Sequence, residues 1–538
     1  MNILKQNNRF GFRELSCCVL VFCLTILTSC DKGFKEMNSN PNAFNEPILG
    51  NMFSRSIINV AGTSDQNTMY PRDKITGAIM QYWSTLNVMM WTGGFYMYKP
   101  EYTDGFYDAV YTTDLKEAQQ LLALTKDDPE LSNHYNILRI WRVYILHRPT
   151  DFYGDIPYFD AGKGYTEGIL NPKFDRQELI YKDMFKELEE AANNLDPSKP
   201  SWGAADYIYQ GDVTQWKKWA YSLMLRLALR CTKVDSELAE TWVKKAIAGG
   251  VMTNNDDIPY LEHTAGTGTN YNQQTYRMEF GAAFSSRLMK GTGYGKVGET
   301  IVNILRETLD PRSPFLITLW QGNFDVKDLA EYSRHEIQKG LPHGYDASTI
   351  TALYPSWTTD TYKEFSEPNL WTVGSQTAPN IFQTYCEVEY YLAEAALRGW
   401  TNGTTPKEHY EKGVRASMSV QYLYPGNFVI PASEIDDYLA RLPYKESGSF
   451  EEQMEQIHTQ VYVSNFPCNG LESFANWRRV EYPKLTPTNY PGNQTGGTIP
   501  RRLPYSESEA TRNKINYDEA IRNQGPVLWT TRVWWDKE

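Results

Sequence analysis

Between Gln81 and Tyr107 the chain sets the aromatic rings of Trp83, Trp91, Phe95, Tyr96, Tyr98 and Tyr102, with others, among Asn87, Lys99, Glu101 and Asp104. Rings beside directed polar groups suit a ligand with one apolar face and a polar edge. The C–H face of a pyranose packs on an aromatic ring, while its hydroxyls need hydrogen-bond partners. Gly93-Gly94 lets the backbone turn sharply between the rings. The same rings can equally pack a core or cover an interface, and a core is the commoner fate of clustered aromatics. The excess runs through the whole chain, where 37 Tyr, 22 Phe and 15 Trp make up 14% of residues.

Other patterns suggest chemistry less well. Gly293-x-Gly295-x-x-Gly298 before the stretch Thr300 to Leu309 imitates a phosphate-binding loop at a helix start. It lacks a βαβ frame and a placed acidic residue downstream, so it reads as a linker. Paired carboxylates for glycoside hydrolysis are defined by their separation in space, and 65 acidic residues guarantee coincidental pairs. His335-Glu336 has no histidine four residues after His335, and Cys231, Cys386 and Cys468 form no CxxC, so no zinc site or disulfide framework is expected. Asn254-Asn255-Asp256-Asp257 offers the oxygen ligands calcium takes but lacks the spacing of an EF-hand, and reads as a solvated turn. No cofactor is expected. The net charge of -12 argues against nucleic acid, which needs clustered Lys and Arg.

The N-terminus reads as a leader. Lys5, Arg9 and Arg13 precede the apolar run Val19 to Thr28, which is too short to span a bilayer as a stable helix. It ends in Leu27-Thr28-Ser29-Cys30, similar to a bacterial lipobox, so Cys30 is the expected lipidation site and residues 1–29 the signal peptide. Residues 30–47, rich in Asn, Pro, Ser and charge, read as a lipidated flexible tether, and 48–538 as a single folded domain. No later segment carries 18 uninterrupted apolar residues.

The elements that must position these residues read as helices from about residue 104 onward. Asp175-x-x-Glu178 has the form of a capping box, followed by Leu179, Met184, Leu188, Ala191 and Leu195 at helical spacing. Asp212-x-x-Gln215 opens the next helix, with Trp216, Trp219, Leu223 and Leu227 on one stripe, and Arg226 and Arg230 favouring the C-terminal dipole. A third runs through Leu238, Trp242 and Ala246 to Gly249-Gly250. Later, Val388, Leu392 and Ala395 form a stripe ending at Gly399, and Thr405-Pro406-Lys407-Glu408 starts a helix carrying Tyr410, Val414 and Met418. Helix pairs on short turns predict a mainly α, tetratricopeptide-like stack, without a clean 34-residue period. The intervals of about 251–300 and 310–380 read as long loops, which are usually functional.

These residues carry a resemblance. Asn38-Ser39-Asn40-Pro41-Asn42, the turn Thr150 to Tyr158 (TDFYGDIPY), Gly211 to Arg230 and Asp310-Pro311-Arg312 resemble motifs of the SusD/RagB family of bacterial surface lipoproteins. So do Tyr390 to Trp400, Tyr410 to Met418, Asn476-Trp477-Arg478-Arg479, Ile499 to Leu503 and Trp534 to Lys537, in family order. Tyr221 stands where the family often has Asn, and only Asp31 and Glu36 follow Cys30 as a sparse acidic export signal. The resemblance implies a lipid-anchored binding protein, not an enzyme, on the outer face of the outer membrane. Its partner would be a SusC-like TonB-dependent transporter barrel, and its ligand an oligosaccharide, or a peptide in some branches. A surface glycoside hydrolase is the remaining alternative. The resemblance places part of the ligand site in the N-terminal aromatic segment and part in the loops before the late helix pair, which hold Trp320, Tyr345, Tyr354, Trp357 and Trp371. The candidate ligand-binding residues are therefore Trp83, Trp91, Tyr96, Tyr98, Trp320 and Trp371.

Overall fold

Helices start where the chain supplies caps and continue where one face is apolar. In the computed structural model, which describes residues 48–62, 74–89, 92–263, 295–319, 329–358, 360–369, 371–375, 377–467 and 469–538, the main helices are α1 (Leu49–Gly62), α2 (Pro100–Ala109), α3 (Leu115–Thr125), α4 (Ser132–Tyr153), α5 (Gln177–Asn194), α6 (Val213–Arg230) and α7 (Ser236–Gly249). They continue with α8 (Glu299–Glu307), α9 (Tyr385–Leu397), α10 (Pro406–Ser417), α11 (Phe450–Asn465), α12 (Gly470–Val480) and α13 (Lys514–Gln524). Helical structure thus begins well before residue 104. Consecutive helices pack as pairs: α3 on α4, α5 on α6, α6 on α7, α9 on α10 and α11 on α12. The fold is mainly α, and Gly50–Glu538 forms one compact unit.

Caps explain several of the starts. Asp212 caps α6 by accepting from the amides of Thr214 and Gln215, at 2.8 and 3.3 Å. Thr405 and Glu408 form a reciprocal capping box at α10, with Pro406 in the first turn. Asp175 departs from the sequence expectation. The N-cap of α5 is Arg176, without a side-chain cap bond, and the Asp175 carboxylate instead accepts from the Tyr158 and Phe159 amides at 3.2 and 2.9 Å. Leu179, expected on the apolar stripe of α5, is half exposed, because Ile180, Tyr181, Met184, Phe185 and Leu188 form the buried face.

The pairs close on an aromatic core. Trp141 and Tyr144 of α4, Trp216 and Trp219 of α6, and Phe382 pack with centroid distances that include 5.1 Å for Trp216–Trp219 and 5.5 Å for Trp141–Phe382. Gly413 lets α10 approach α9, since a Cβ there would lie 2.5 Å from the Tyr390 ring.

Arg226 and Arg230 do not serve the helix dipole at the surface. Both are buried and ion-paired across the core. Arg226 makes a two-pronged pair with Glu387 of α9, at 2.7 and 2.9 Å, and Arg230 reaches Glu472 of α12 at 2.5 Å. Tyr391 donates to the same Glu472 oxygen at 2.6 Å. A second centre is Glu394, which accepts from both terminal nitrogens of Arg479, at 2.6 and 2.7 Å, and contacts His458 at 2.9 Å. Asp310 and Arg312 of the DPR element pair with each other, and Arg312 also reaches Ser417 and Gln460.

The strands are two-residue antiparallel bridges that pin loops to the scaffold: β1 (Trp83–Ser84), β2 (Ile156–Pro157), β3 (Phe174–Asp175), β4 (Tyr260–Leu261), β5 (Lys296–Val297), β6 (Ile317–Thr318), β7 (Glu367–Pro368) and β8 (Asn380–Ile381). β1 pairs with β5, β2 with β3, β4 with β8 and β6 with β7. No described helix is long and apolar enough to cross a membrane.

Candidate ligand-binding face

The segment after β1 turns tightly because glycine permits it. Thr92–Phe95 forms a short 3-10 turn laid on residue 75, where a Cβ on Gly93 would lie 2.1 Å from the Ile75 carbonyl oxygen. The turn delivers Phe95 against Tyr490, with centroids 5.0 Å apart, and Tyr96 beside His343 at 6.1 Å. Gln494 clamps the next residues. Its amide donates to the Tyr96 carbonyl at 2.9 Å, and its Oε1 accepts from the Tyr98 amide at 2.6 Å.

Tyr98 is half-buried, and its hydroxyl donates to Asp104 at 2.7 Å. Burial pushes the Asp104 carboxyl above the usual range, against the bonds it accepts from the Glu507 amide and Tyr98. The Lys99 ammonium lies 3.0 Å from the Met89 sulfur.

The loop between α8 and α9 contributes a second patch of rings. Leu86, Leu341, Ile350, Tyr362 and Phe365 form a buried apolar cluster, and the half-buried Tyr345, Tyr354 and Trp357 lie against it. Trp357 stacks on Phe365 at 5.7 Å and 29°, while Tyr354 meets Phe365 edge-on at 5.8 Å. The Lys339 ammonium lies 4.8 Å from the centre of the Tyr354 ring and 4.6 Å from that of Phe365, and pairs with Glu364 at 3.1 Å. Beneath the cluster, Lys296 and Glu367 form a fully buried ion pair. Such an arrangement holds rings rigidly with part of their area open, which is what stacking on a sugar requires.

The sequence candidates divide. Trp83 and Tyr96 are fully buried: Trp83 sits on β1 against Phe466, and Tyr96 under His343 and the loop holding Thr488 and Gln494. Their expected role as exposed stacking rings is corrected, since β1–β5 pairing and the 92–95 turn fold both inward. Tyr98 retains exposure. Trp371 is half-buried in a different set of loops, with its amide on Asn369 at 2.9 Å and its carbonyl beside Gly426. Trp91, Trp320 and Cys30 lie outside the described residues. Tyr354 and Trp357, named with the late loops but not among the six candidates, are half-buried like Tyr98 and Trp371. His343, Tyr490, Gln494 and Lys339 are contributions the sequence reading does not single out. Tyr490-Pro491-Gly492-Asn493 carries a turn signature that could have marked that loop.

Burial lowers the His343 imidazole to about 4, so it is neutral at physiological pH. Neither of its ring nitrogens has a hydrogen-bond partner among the described residues. No group of three or more His, Cys, Asp or Glu among the described residues is placed to hold a metal ion. In the Asn254–Asp257 turn, Asp257 accepts from Lys218 and Thr253, both at 2.7 Å. Gly298 of the glycine-rich stretch packs a loop: its amide donates to the Tyr82 carbonyl at 2.9 Å, and a Cβ would lie 2.1 Å from the Gln81 carbonyl oxygen. The strand before α8 is antiparallel, so the stretch has no βαβ frame.

The chain belongs to the SusD-like family described as starch-binding and associating with the outer membrane, whose model matches residues 41–506. Among solved structures it is similar to a chitin-binding protein, at 27% identity and TM-score 0.77, covering 91% of this chain and 100% of that one. It is also similar to a SusD-like protein of Bacteroidetes AC2a, at 26% identity and TM-score 0.78, with 91% and 100% covered. The fold is shared with a chitin-binding SusD homologue from Flavobacterium johnsoniae, at 23% identity and TM-score 0.74, covering 91% of this chain and 99% of that one. No curated protein matches the chain.

Proposed function

We propose that this protein captures oligosaccharides at the cell surface and passes them to a SusC-like TonB-dependent transporter barrel, held to the outer membrane by lipid on Cys30. The observation that carries the reading is the pair of half-buried rings, Tyr354 and Trp357, braced on Phe365 in a chain of the SusD-like family. Rings fixed by packing lose little entropy on binding, so their open area goes into affinity. Acyl chains on Cys30 contribute about 0.8 kcal/mol per buried methylene, enough with several chains to make release negligible. The chitin-binding relative makes N-acetylglucosamine oligomers the first ligands to try, beside malto-oligosaccharides.

The protein binds and does not hydrolyse in this reading. The test is a titration of the chain lacking residues 1–30 against chito- and malto-oligosaccharides and a peptide library, with product analysis of each sugar. Saccharide binding without cleavage supports the reading. Binding of peptides alone, or cleavage of a sugar, refutes it.

A further inference from the structure

A pocket of about 420 Å³ opens at the opposite kind of site, on the helical scaffold, where the start of α5 meets the end of α13 and residues 532–538. Its volume is in the range of small-molecule sites. Neither Tyr98, Tyr354 nor Trp357 lines it.

The wall is built for hydrogen bonding. Gln177 is fully buried, and its Nε2 donates to the Thr150 carbonyl at 2.6 Å, which fixes the amide orientation. Its Oε1 is then left as a buried acceptor with no partner among the described residues. A buried acceptor without a donor is costly, so it favours a ligand that supplies one. Asp155, 7% exposed, accepts the Gln177 amide through Oδ1 at 2.9 Å and leaves Oδ2 for another donor. The Gln524 amide bridges the Asp155 amide and the Tyr153 carbonyl, holding this side of the wall rigid. Trp534 is half-buried on the pocket wall, with its ring 5.9 Å from that of Tyr181.

Charge on the wall is mixed, with one carboxylate in excess. Three lining cations face four lining carboxylates. Asp536 is met by Arg501 and by Arg532, at 2.8 and 2.7 Å, and Glu178 by Lys182 at 2.6 Å. An anionic ligand meets no excess of positive charge here. A neutral ligand with many hydroxyls can satisfy Gln177 and Asp155 as acceptors and Arg176 as donor, and lay an apolar face on Trp534.

We propose that this pocket is a second saccharide site, taking a neutral sugar of one or two rings independently of the exposed ring face. The test titrates the full chain in detergent with glucose, maltose, N-acetylglucosamine and its dimer, and with inorganic phosphate and glycine as charged probes. The proposal expects at least one of the four sugars to bind. Arg176→Ala, a change at an exposed position, and Gln177→Leu should each weaken that binding at least tenfold, also in a Trp357→Ala background that silences the ring face. A crystal soaked with the sugar should show it between Gln177 and Trp534. Sugar binding unaffected by Arg176→Ala, or binding of phosphate or glycine but of no sugar, would overturn the proposal. Arg176→Ala keeps the test decisive even if Gln177→Leu fails to fold.

Discussion

Arg230, at the end of α6, donates to Glu472 Oε1 over 2.5 Å, and both side chains are buried in the core. The two residues lie 242 positions apart. With Arg226 bound to Glu387, this pair ties the N-terminal helix pairs to the late ones that follow the loops holding Tyr354 and Trp357.

Removing one member leaves buried cations uncompensated, which typically costs about 3–5 kcal/mol. Glu472→Gln should therefore unfold at markedly lower denaturant than wild type in a urea titration followed by circular dichroism. A change below about 1 kcal/mol would show that the pair contributes no more than an exposed ion pair does.

The same residue sets an acid limb of stability. Burial alone would raise the Glu472 carboxyl, but Arg230 and Arg226 hold it down at about 2, against 4.5 for a free group. A carboxyl depressed in the folded state contributes stability above its unfolded value, and that contribution is lost as pH falls toward the folded value. The difference in melting temperature between wild type and Glu472→Gln should be constant above about pH 5 and shrink between pH 4.5 and 2. A difference that grows on acidification would contradict this.

Gly298 gives a test of the glycine-rich stretch. A Cβ there meets the Gln81 carbonyl oxygen at 2.1 Å, and backbone atoms cannot yield as a side-chain tip does. Gly298→Ala should lose about 1–3 kcal/mol through overpacking, measured by denaturant unfolding. Unchanged stability would free the glycine for another role.

The helix pairs are legible in sequence because caps and stripes are local. Thr405 and Glu408 lie three positions apart and make the expected capping box. Asp175 and Glu178 have the same spacing, yet Asp175 is taken by the amides of the 158–159 turn, a contact that no spacing rule contains. Arg226 and Arg230 look like surface cations at a helix end, because their partners Glu387 and Glu472 are 161 and 242 positions distant. For the candidate ligand face, residue type marks Trp83, Tyr96 and Trp357 alike as rings. Exposure separates them, and exposure follows from β1–β5 pairing and from the packing of residues 341–365, neither of which the local pattern encodes.

Cys30→Ala should prevent lipidation and release the protein from outer-membrane fractions. Fractionation of host membranes in high salt and alkali checks this, and retention of the mutant there would count against the lipobox reading.

The central claim is glycan capture by the braced rings, and calorimetric titration of Trp357→Ala beside wild type tests it most directly. Losing an anchor ring typically costs at least about 2 kcal/mol of binding, more than tenfold in affinity. The account predicts that wild type binds a chito- or malto-oligosaccharide and that Trp357→Ala binds it at least tenfold more weakly while keeping its helical circular-dichroism spectrum. Equal affinity of the two proteins for the oligosaccharide would contradict it.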